Sequence, residues 1–259
     1  MSASISPDRQ GDRSGASGIF NPRPTIRYVP IAGQQVCTII DDFLLEPQKM
    51  VDFAIAQRDQ FADDPTNYYP GPELSLSREM AYSLDEFFMQ HVRRALGARR
   101  NIGVACRLSM ATLATQQLHP LQRLCHRDAD VFPTGESIGA SVLYLFKDAA
   151  LGGTSFYTPR KPLDEMRHLM HLANTVSNEE LSAIINTAPS YMTGSNEYFD
   201  LACTVPAAWN RAIFYSGTVF HAAQIERPEL LNTDPAKGRL TLNGFFKFRL
   251  SSATNSAGI

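Results

Sequence analysis

The run Arg239-Leu-Thr-Leu-Asn-Gly-Phe-Phe-Lys-Phe-Arg-Leu250, near the end of the chain, carries the pattern that decides the fold class. At its start Arg239, Thr241 and Asn243 are polar, whereas the positions between them are leucine. Successive side chains of a strand point to opposite faces. This two-residue period therefore predicts a β-strand with one polar and one apolar face.

The same texture recurs upstream, in short runs of β-branched, aromatic and apolar residues separated by proline, glycine and aspartate. Many short strands with turn residues between them are typical of antiparallel sandwiches and barrels. We therefore predict a mainly β fold with flanking helices (α+β) and a jelly-roll core over residues 101–250. Its other predicted strands lie in Val104–Thr115, Ala140–Phe146, Gly153–Thr158 and Arg211–Ser216.

The segment before this core predicts a helical cover over residues 26–100 of a single domain that spans residues 26–259. Proline is tolerated in a first helical turn, and serine is a common helix cap. The predicted elements are a strand at Val36–Ile40, a helix over Lys49–Gln60 preceded by Pro47, a loop at Phe61–Arg78, and a helix from a Ser83 cap to about Leu96.

Two other segments differ from the β-rich texture. Residues 1–25 are rich in Ser, Gly, Pro, Asp and Arg without periodicity, which predicts a disordered leader. Residues 158–208 contain DEMRHLMHLAN and NEELSAIIN, which predict two short helices inserted between strands. Long insertions of this kind often cover a functional site.

Charge and cysteine usage limit the classes of partner. The 24 basic and 26 acidic residues nearly cancel, and no basic aromatic groove is evident, which argues against a nucleic-acid or membrane-surface partner. Four cysteines without CxxC pairing, and a start without a secretory signal, predict a cytoplasmic protein. A small-molecule or peptide substrate is favoured, and the oligomeric state stays open.

The segment Arg123-Leu-Cys-His-Arg-Asp-Ala-Asp130 contains the first candidate metal ligands. His126 and Asp128 lie two residues apart, so on a strand both point to one face, while Cys125 points to the other. Asp130 shares the parity of Asp128, but Asp128 completes the H-x-D pair. A short motif of this kind needs a third ligand before it is specific.

That ligand is predicted at His221, which follows a turn at the end of the strand-like run Arg211–Ser216. Two imidazoles and one carboxylate on one side of iron(II) form a facial triad that leaves coordination positions open. If Arg239 lies inside a barrel near this metal, its guanidinium can bind the distal carboxylate of 2-oxoglutarate in a paired, charge-assisted fork. Thr241 would add a hydroxyl to the same carboxylate.

In this order the motifs resemble the 2-oxoglutarate and iron(II)-dependent dioxygenases, particularly the branch that looks like prolyl 4-hydroxylases. The resemblance covers about half of the chain and rests on the H-x-D pair, Tyr144-Leu145, the Gly152-Gly153-Thr-Ser-Phe156 turn, His221 and Gly238-Arg239-Leu-Thr241. It implies a double-stranded β-helix, with iron(II) held by His126, Asp128 and His221 as the catalytic centre, 2-oxoglutarate as co-substrate, and dioxygen. Tyr144 would lie beside the co-substrate.

The chain departs from that branch in three ways. Arg239 stands where prolyl 4-hydroxylases have lysine, and Gln117 stands nine residues before the first ligand, where the branch often has tyrosine. By this position the resemblance implies that Gln117 contacts the co-substrate. The loop between His221 and Arg239 is also long. The resemblance implies hydroxylation of a C–H bond in an amino acid, a peptide or protein side chain, or a small metabolite. The three departures argue against prolyl substrates.

Other residues have less specific interpretations. His119, before a proline, is interpreted as structural or as a support for a ligand, and His168 and His171 as a solvated helix face. Tyr69, in an aromatic turn, and Arg211 with Tyr215, which share strand parity, are candidate substrate contacts. Two rival functions remain open: a cupin-like metalloenzyme that does not use 2-oxoglutarate, and a catalytically silent jelly roll that binds a ligand or partner.

Overall fold

The computed structural model describes residues 18–64, 68–129, 132–173 and 175–251, and within them the chain is mainly β. The α-helices are α1 Pro47–Ala56, α2 Arg78–Phe87, α3 Leu163–Leu172 and α4 Asn178–Ile185. The strands are β1 Ile26–Pro30, β2 Val36–Ile40, β3 Glu73–Ser75, β4 Ala98–Ala111, β5 Glu136–Tyr144, β6 Thr154–Pro159, β7 Phe199–Val205, β8 Ala212–Ser216, β9 Phe220–Ala223 and β10 Arg239–Leu250. Each run predicted as a strand contributes to one, so the mainly β prediction with flanking helices is confirmed.

The strands form two antiparallel sheets. The larger has seven strands in the order β1-β2-β8-β5-β10-β4-β3, and the smaller has three in the order β7-β6-β9. Apolar side chains from both sheets, including Ile39, Phe156 and Ile213, form one buried cluster. The two sheets therefore pack against each other around shared interior space.

Strand β10 lies near the centre of the large sheet. Its polar and apolar residues alternate, so they lie on opposite faces of this sheet. Leu240, Leu242 and Phe246 are fully buried in the cluster that includes residues of α1 and α2. The Phe246 ring stacks on Phe88, which follows α2, with centroids 4.2 Å apart. Burying a side chain of this size contributes roughly 1.5–3 kcal/mol. The helical cover thus occupies the apolar face of β10, and its polar face is turned toward the small sheet.

The predicted cover needs two corrections. Helix α2 starts at a Ser77 cap, whose hydroxyl accepts a hydrogen bond from the Met80 amide, and not at Ser83. Ser83 lies inside the helix and its hydroxyl donates to the Glu79 carbonyl. The segment interpreted as a loop, residues 61–78, also contains the edge strand β3, which pairs with β4. A strand of three residues is too short to show a period in the sequence.

The predicted limits of the leader, 1–25, and of the insertion, 158–208, differ from the limits in the structure. Residues 1–17 lie outside the described residues, but Phe20 is 5% exposed and its ring contacts Phe43 and Phe87. The packed domain therefore begins before residue 25. In the insertion, α3 and α4 match the two predicted helices, whereas β7 is a strand of the small sheet. Of the helices in the described ranges, none has the length and apolar content needed to cross a bilayer.

Candidate metal centre

Backbone pairing between two distant segments brings the three predicted ligands together. The amides and carbonyls of His126 and His221 form a reciprocal pair of hydrogen bonds, each 2.9 Å long, and the Asp128 amide donates to the Gly217 carbonyl at 2.8 Å. The potential ligand atoms of His126, Asp128 and His221 all lie within 4.8 Å of one another. This spacing is small enough for one ion to contact all three side chains.

Gly217 leaves the space that the Asp128 side chain occupies. A Cβ atom at this position would lie 2.6 Å from Asp128 Oδ2, closer than non-bonded atoms approach. The turn between β8 and β9 therefore determines where the carboxylate can lie. The sequence suggested this turn, but not its contact with Asp128.

The histidine rings are suited to ligate a cation in their neutral form. His221 Nδ1 lies 2.9 Å from the Val219 carbonyl. A nitrogen bonded to a carbonyl must carry the proton, so Nε2, 3.8 Å from Asp128 Oδ1, presents its lone pair to the site. Burial lowers the pKa of His221 to about 4. Desolvation by the cavity walls, together with the neighbouring His221, also lowers the pKa of His126, although this residue is more exposed than His221.

The carboxylate of Asp128 is poorly compensated by the protein alone. Desolvation raises its pKa to about 6, although His126 and Arg107 oppose the shift. Its Oδ2 atom is buried and has no hydrogen-bond partner among the described residues. A buried acceptor without a partner is costly. A cation held by the three side chains would supply the missing interaction, so these residues fit a metal ion.

The three predicted ligands line a cavity of about 420 Å³, whose wall includes Tyr215. Tyr215 is 2% exposed, and its ring meets the His221 ring edge to face at 4.7 Å and the Phe156 ring at 4.9 Å. Tyr215 was predicted as a substrate contact, and it lies in this wall. The aromatic wall restricts water on one side of the ligands.

Arg239 reaches the same cavity and is 3% exposed. Its Nε and Nη2 atoms donate to the carbonyls of Gly152 and Gly153, at 3.3 and 2.9 Å. Among the described residues no carboxylate forms an ion pair with it. Since the carbonyls occupy one edge of the planar guanidinium, the edge formed by Nη1 and Nη2 can bind a carboxylate through two hydrogen bonds.

The turn that holds Arg239 depends on Gly152. Its φ of 88° and ψ of 150° lie in a region that is almost exclusive to glycine, and a Cβ atom would lie 1.8 Å from the Gln224 carbonyl oxygen. We expect Gly152→Ala to lower the free energy of unfolding by at least about 2 kcal/mol, measured by urea denaturation. Gly194→Ala is the control, because a Cβ there has no neighbour within 4 Å in the part of the chain that the structure describes. Equal stability of the two variants would contradict this account.

Tyr69 and Thr241 also line the cavity close to Arg239. Thr241 is 1% exposed and its hydroxyl donates to the Ser109 carbonyl at 3.3 Å. Burial raises the pKa of Tyr69, while the nearby Arg239 and a hydrogen bond with Thr241 oppose the shift. Tyr69 was predicted as a substrate contact, and it lies at the Arg239 end of the cavity.

Three predicted site residues lie outside the cavity wall. Gln117 is exposed, and its side chain accepts from the Ala114 amide in a 3₁₀ turn beyond the end of β4 at Ala111. Arg211 forms an ion pair with Asp41 at 2.6 Å. Arg211 lies just before β8, and its side chain is held there by Asp41 and the Pro206 carbonyl, away from the cavity wall.

Tyr144 is the third of these residues and is fully buried behind the cavity. Its hydroxyl forms a 2.8 Å hydrogen bond with Thr154 Oγ1, and Thr154 lines the cavity. Tyr144 therefore supports the wall and does not reach the interior. Successive residues of β5 point to opposite faces, so the sequence could predict which face Tyr144 is on. It could not predict that other residues separate Tyr144 from the cavity.

The remaining candidate residues lie outside the group of predicted metal ligands. His119 Nδ1 accepts from the Leu121 amide, and its ring contacts Tyr68 at 4.8 Å. Cys125 is buried on the side away from the ligands, in the cluster that includes residues of α3 and α4. His168 and His171 are exposed on α3. Asp130 lies outside the described residues.

Several cavity residues were not identified from the sequence: Glu73, Arg107, Tyr191, Met192 and Asn243. Asn243 could have been predicted as a cavity residue, because on β10 it shares a face with Arg239 and Thr241. The others come from the edge strand, from β4 and from the insertion, so only the packing of distant segments places them in the cavity.

Comparison with known proteins gives one match to a family and a set of distant structural similarities. No curated protein matches the sequence. A Pseudomonas putida prolyl-4-hydroxylase is 15% identical, with 82% of this chain and 92% of that chain covered and a TM-score of 0.39. HygX from Streptomyces hygroscopicus, solved with nickel and 2-oxoglutarate, is 9% identical, with 82% of each chain covered and a TM-score of 0.40. The epimerase SnoN, solved with Fe3+ and alpha ketoglutarate, is 12% identical, with coverage of 86% and 87% and a TM-score of 0.42. The model of a family of unknown function (DUF6445) matches residues 22–246, and the chain belongs to this family.

Proposed function

We propose that this protein is a non-haem iron(II), 2-oxoglutarate-dependent dioxygenase that hydroxylates a C–H bond of an amino acid, a peptide or protein side chain, or a small metabolite. One observation carries the proposal: a single cavity contains both the His126, Asp128 and His221 cluster and the buried Arg239. The core that holds them is proposed to be a jelly roll of the double-stranded β-helix type.

The donor set favours iron(II) over a structural zinc ion. Two imidazoles and one carboxylate on one side of a metal leave positions for a bidentate co-substrate and dioxygen. A structural zinc site has four protein ligands, and no other described His, Cys, Asp or Glu joins this cluster. When bound, iron(II), 2-oxoglutarate and dioxygen together supply the oxidising chemistry that the side chains lack.

The side chains of the cavity have separate tasks in this proposal. The two histidines and Asp128 hold the metal, while the free edge of Arg239 binds the distal carboxylate of the co-substrate. The Thr241 hydroxyl, which donates to the Ser109 carbonyl, would rotate away from that carbonyl to donate to the same carboxylate. The Gly152 and Gly153 carbonyls fix the orientation of the guanidinium. Tyr215 restricts water around the ligands, which strengthens every electrostatic interaction in the cavity.

The proposal is tested by anaerobic addition of iron(II) and then 2-oxoglutarate to the purified protein. We expect a visible metal-to-ligand charge-transfer band in the wild type and none in His126→Ala. Tight iron binding without a band would favour a cupin-like enzyme that does not use 2-oxoglutarate. A protein that binds no iron would instead be a catalytically silent binding module.

A further inference from the structure

Three neighbouring strands carry a buried polar network on the cavity face of the large sheet. On β3, Glu73 is 8% exposed; on β4, Ser109 is fully buried; and on β10, Asn243 is 8% exposed. The Ser109 hydroxyl donates to Glu73 Oε1 at 2.7 Å, and Asn243 Nδ2 donates to the Ser109 hydroxyl oxygen at 2.9 Å. Glu73 and Asn243 both line the cavity.

The order of these hydrogen bonds leaves an acceptor of Asn243 available. A hydroxyl has a single hydrogen, and that of Ser109 is used by the Glu73 carboxylate, which only accepts. Ser109 must therefore accept from the amide nitrogen of Asn243, so that Oδ1 points away from Ser109. This Oδ1 atom is buried and has no hydrogen-bond partner among the described residues. A ligand with an N–H or O–H group would satisfy it.

Arg107 lies beside this acceptor, because Arg107 and Asn243 are direct cross-strand partners of β4 and β10. Its Nε atom lies 3.1 Å from Glu73 Oε1, and its guanidinium packs over the Phe245 ring at 4.7 Å. The side chain is 30% exposed and lines the cavity. Its two terminal nitrogens have no acceptor among the described residues, so they present a paired donor edge to the cavity.

We propose, building on the proposed function, that Arg107, Asn243 and Glu73 anchor the carboxylate and ammonium groups of a free α-amino acid substrate. The terminal nitrogens of Arg107 bind the carboxylate, which matches the planar fork of a guanidinium. The ammonium donates to Asn243 Oδ1 and is attracted by the Glu73 carboxylate. Cross-strand partners have Cβ atoms roughly 4.5–5.5 Å apart. This spacing suits two groups attached to one carbon atom.

The position of these anchors favours a whole small molecule over a peptide. Glu73 and Asn243 are more than nine-tenths buried, and the cavity of about 420 Å³ also contains the proposed co-substrate site. A residue inside a peptide has amides in place of its ammonium and carboxylate, and its neighbours would have to enter the cavity with it. A free amino acid brings both charged groups to the anchors without this cost.

Calorimetric titration of the protein with each of the twenty standard L-amino acids tests the proposal. The protein is loaded anaerobically with iron(II) and 2-oxoglutarate. We expect at least one amino acid to bind, and its N-acetyl and carboxamide derivatives to bind at least about tenfold more weakly, because each blocks one anchored group. If no amino acid binds, or if the blocked derivatives bind equally well, the proposal is wrong.

Two variants locate the binding at these residues. Asn243→Leu removes the acceptor, and Arg107→Lys retains a positive charge beside Glu73 but loses the fork, so each should weaken amino acid binding at least about tenfold. Lys247→Gln, at an exposed position of β10, should not change it. Thermal melting identifies a misfolded variant. Unchanged affinity in both variants would overturn the assignment.

The two proposals can fail separately. Heat released on amino acid binding does not depend on the charge-transfer band, so the titration decides the anchoring proposal even if that band is absent. A band in a protein that binds none of the amino acids would retain the dioxygenase proposal and eliminate the amino acid substrate. Binding of an amino acid without a charge-transfer band would retain the anchoring proposal and argue against the dioxygenase proposal.

Discussion

His126→Ala is expected to abolish iron binding and to lower iron-dependent succinate production by at least about 10³-fold, since the metal centre acts as a unit. The two remaining ligands, Asp128 and His221, cannot hold the ion in a facial arrangement. The fold should persist, because His126 faces the open cavity and the two hydrogen bonds that pair it with His221 join backbone atoms, so that only the contact between the imidazole rings is lost. Iron binding by anaerobic titration and succinate release by mass spectrometry measure the two losses.

Control variants separate a lost ligand from a damaged fold. His168→Ala removes an exposed imidazole of α3 and should retain both iron binding and turnover. His221→Ala should match His126→Ala in activity and melt at a lower temperature, because His221 is only 5% exposed. Full turnover in His126→Ala would show that the ligand assignment is wrong.

Arg239→Ala is expected to raise the concentration of 2-oxoglutarate needed for half-maximal turnover by roughly 10- to 150-fold, the equivalent of about 1.5–3 kcal/mol for hydrogen bonds to a charged group. The side chain is buried and has no ion-pair partner among the described residues, so its loss leaves the distal carboxylate without a counter-charge. The maximal rate at saturating 2-oxoglutarate should fall much less. Steady-state succinate release at varied 2-oxoglutarate concentrations measures both quantities.

The lysine variant distinguishes charge from geometry at this position. Arg239→Lys keeps the positive charge but cannot form the planar fork, so its 2-oxoglutarate requirement should lie between those of the wild type and Arg239→Ala. Iron binding in the absence of 2-oxoglutarate should be retained in both variants. An unchanged 2-oxoglutarate requirement in Arg239→Ala would exclude Arg239 as the carboxylate site.

Structural features that depend only on residues adjacent in the sequence, such as the faces of a strand, could be predicted from the sequence. The alternation at Arg239, Thr241 and Asn243 predicted a strand with a polar face, because the two sides of a strand follow from backbone geometry alone. The H-x-D spacing placed His126 and Asp128 on one side by assuming a strand, whereas in the structure His126 forms only an isolated bridge with His221 and Asp128 lies in a bend. The five strand-like runs therefore predicted the mainly β class correctly.

Only the tertiary structure decided which of these faces meet. The polar face of β10 is buried around a cavity because the small sheet covers it, and His221 reaches His126 through pairing between distant segments. Gln117, which the resemblance placed at the co-substrate, lies in a 3₁₀ turn, and Arg211 lies just before β8 in an ion pair with Asp41. A local period extends no further than its strand, whereas contacts such as that of Arg107 with Glu73 depend on sheet order and register, which arise only when the whole chain packs.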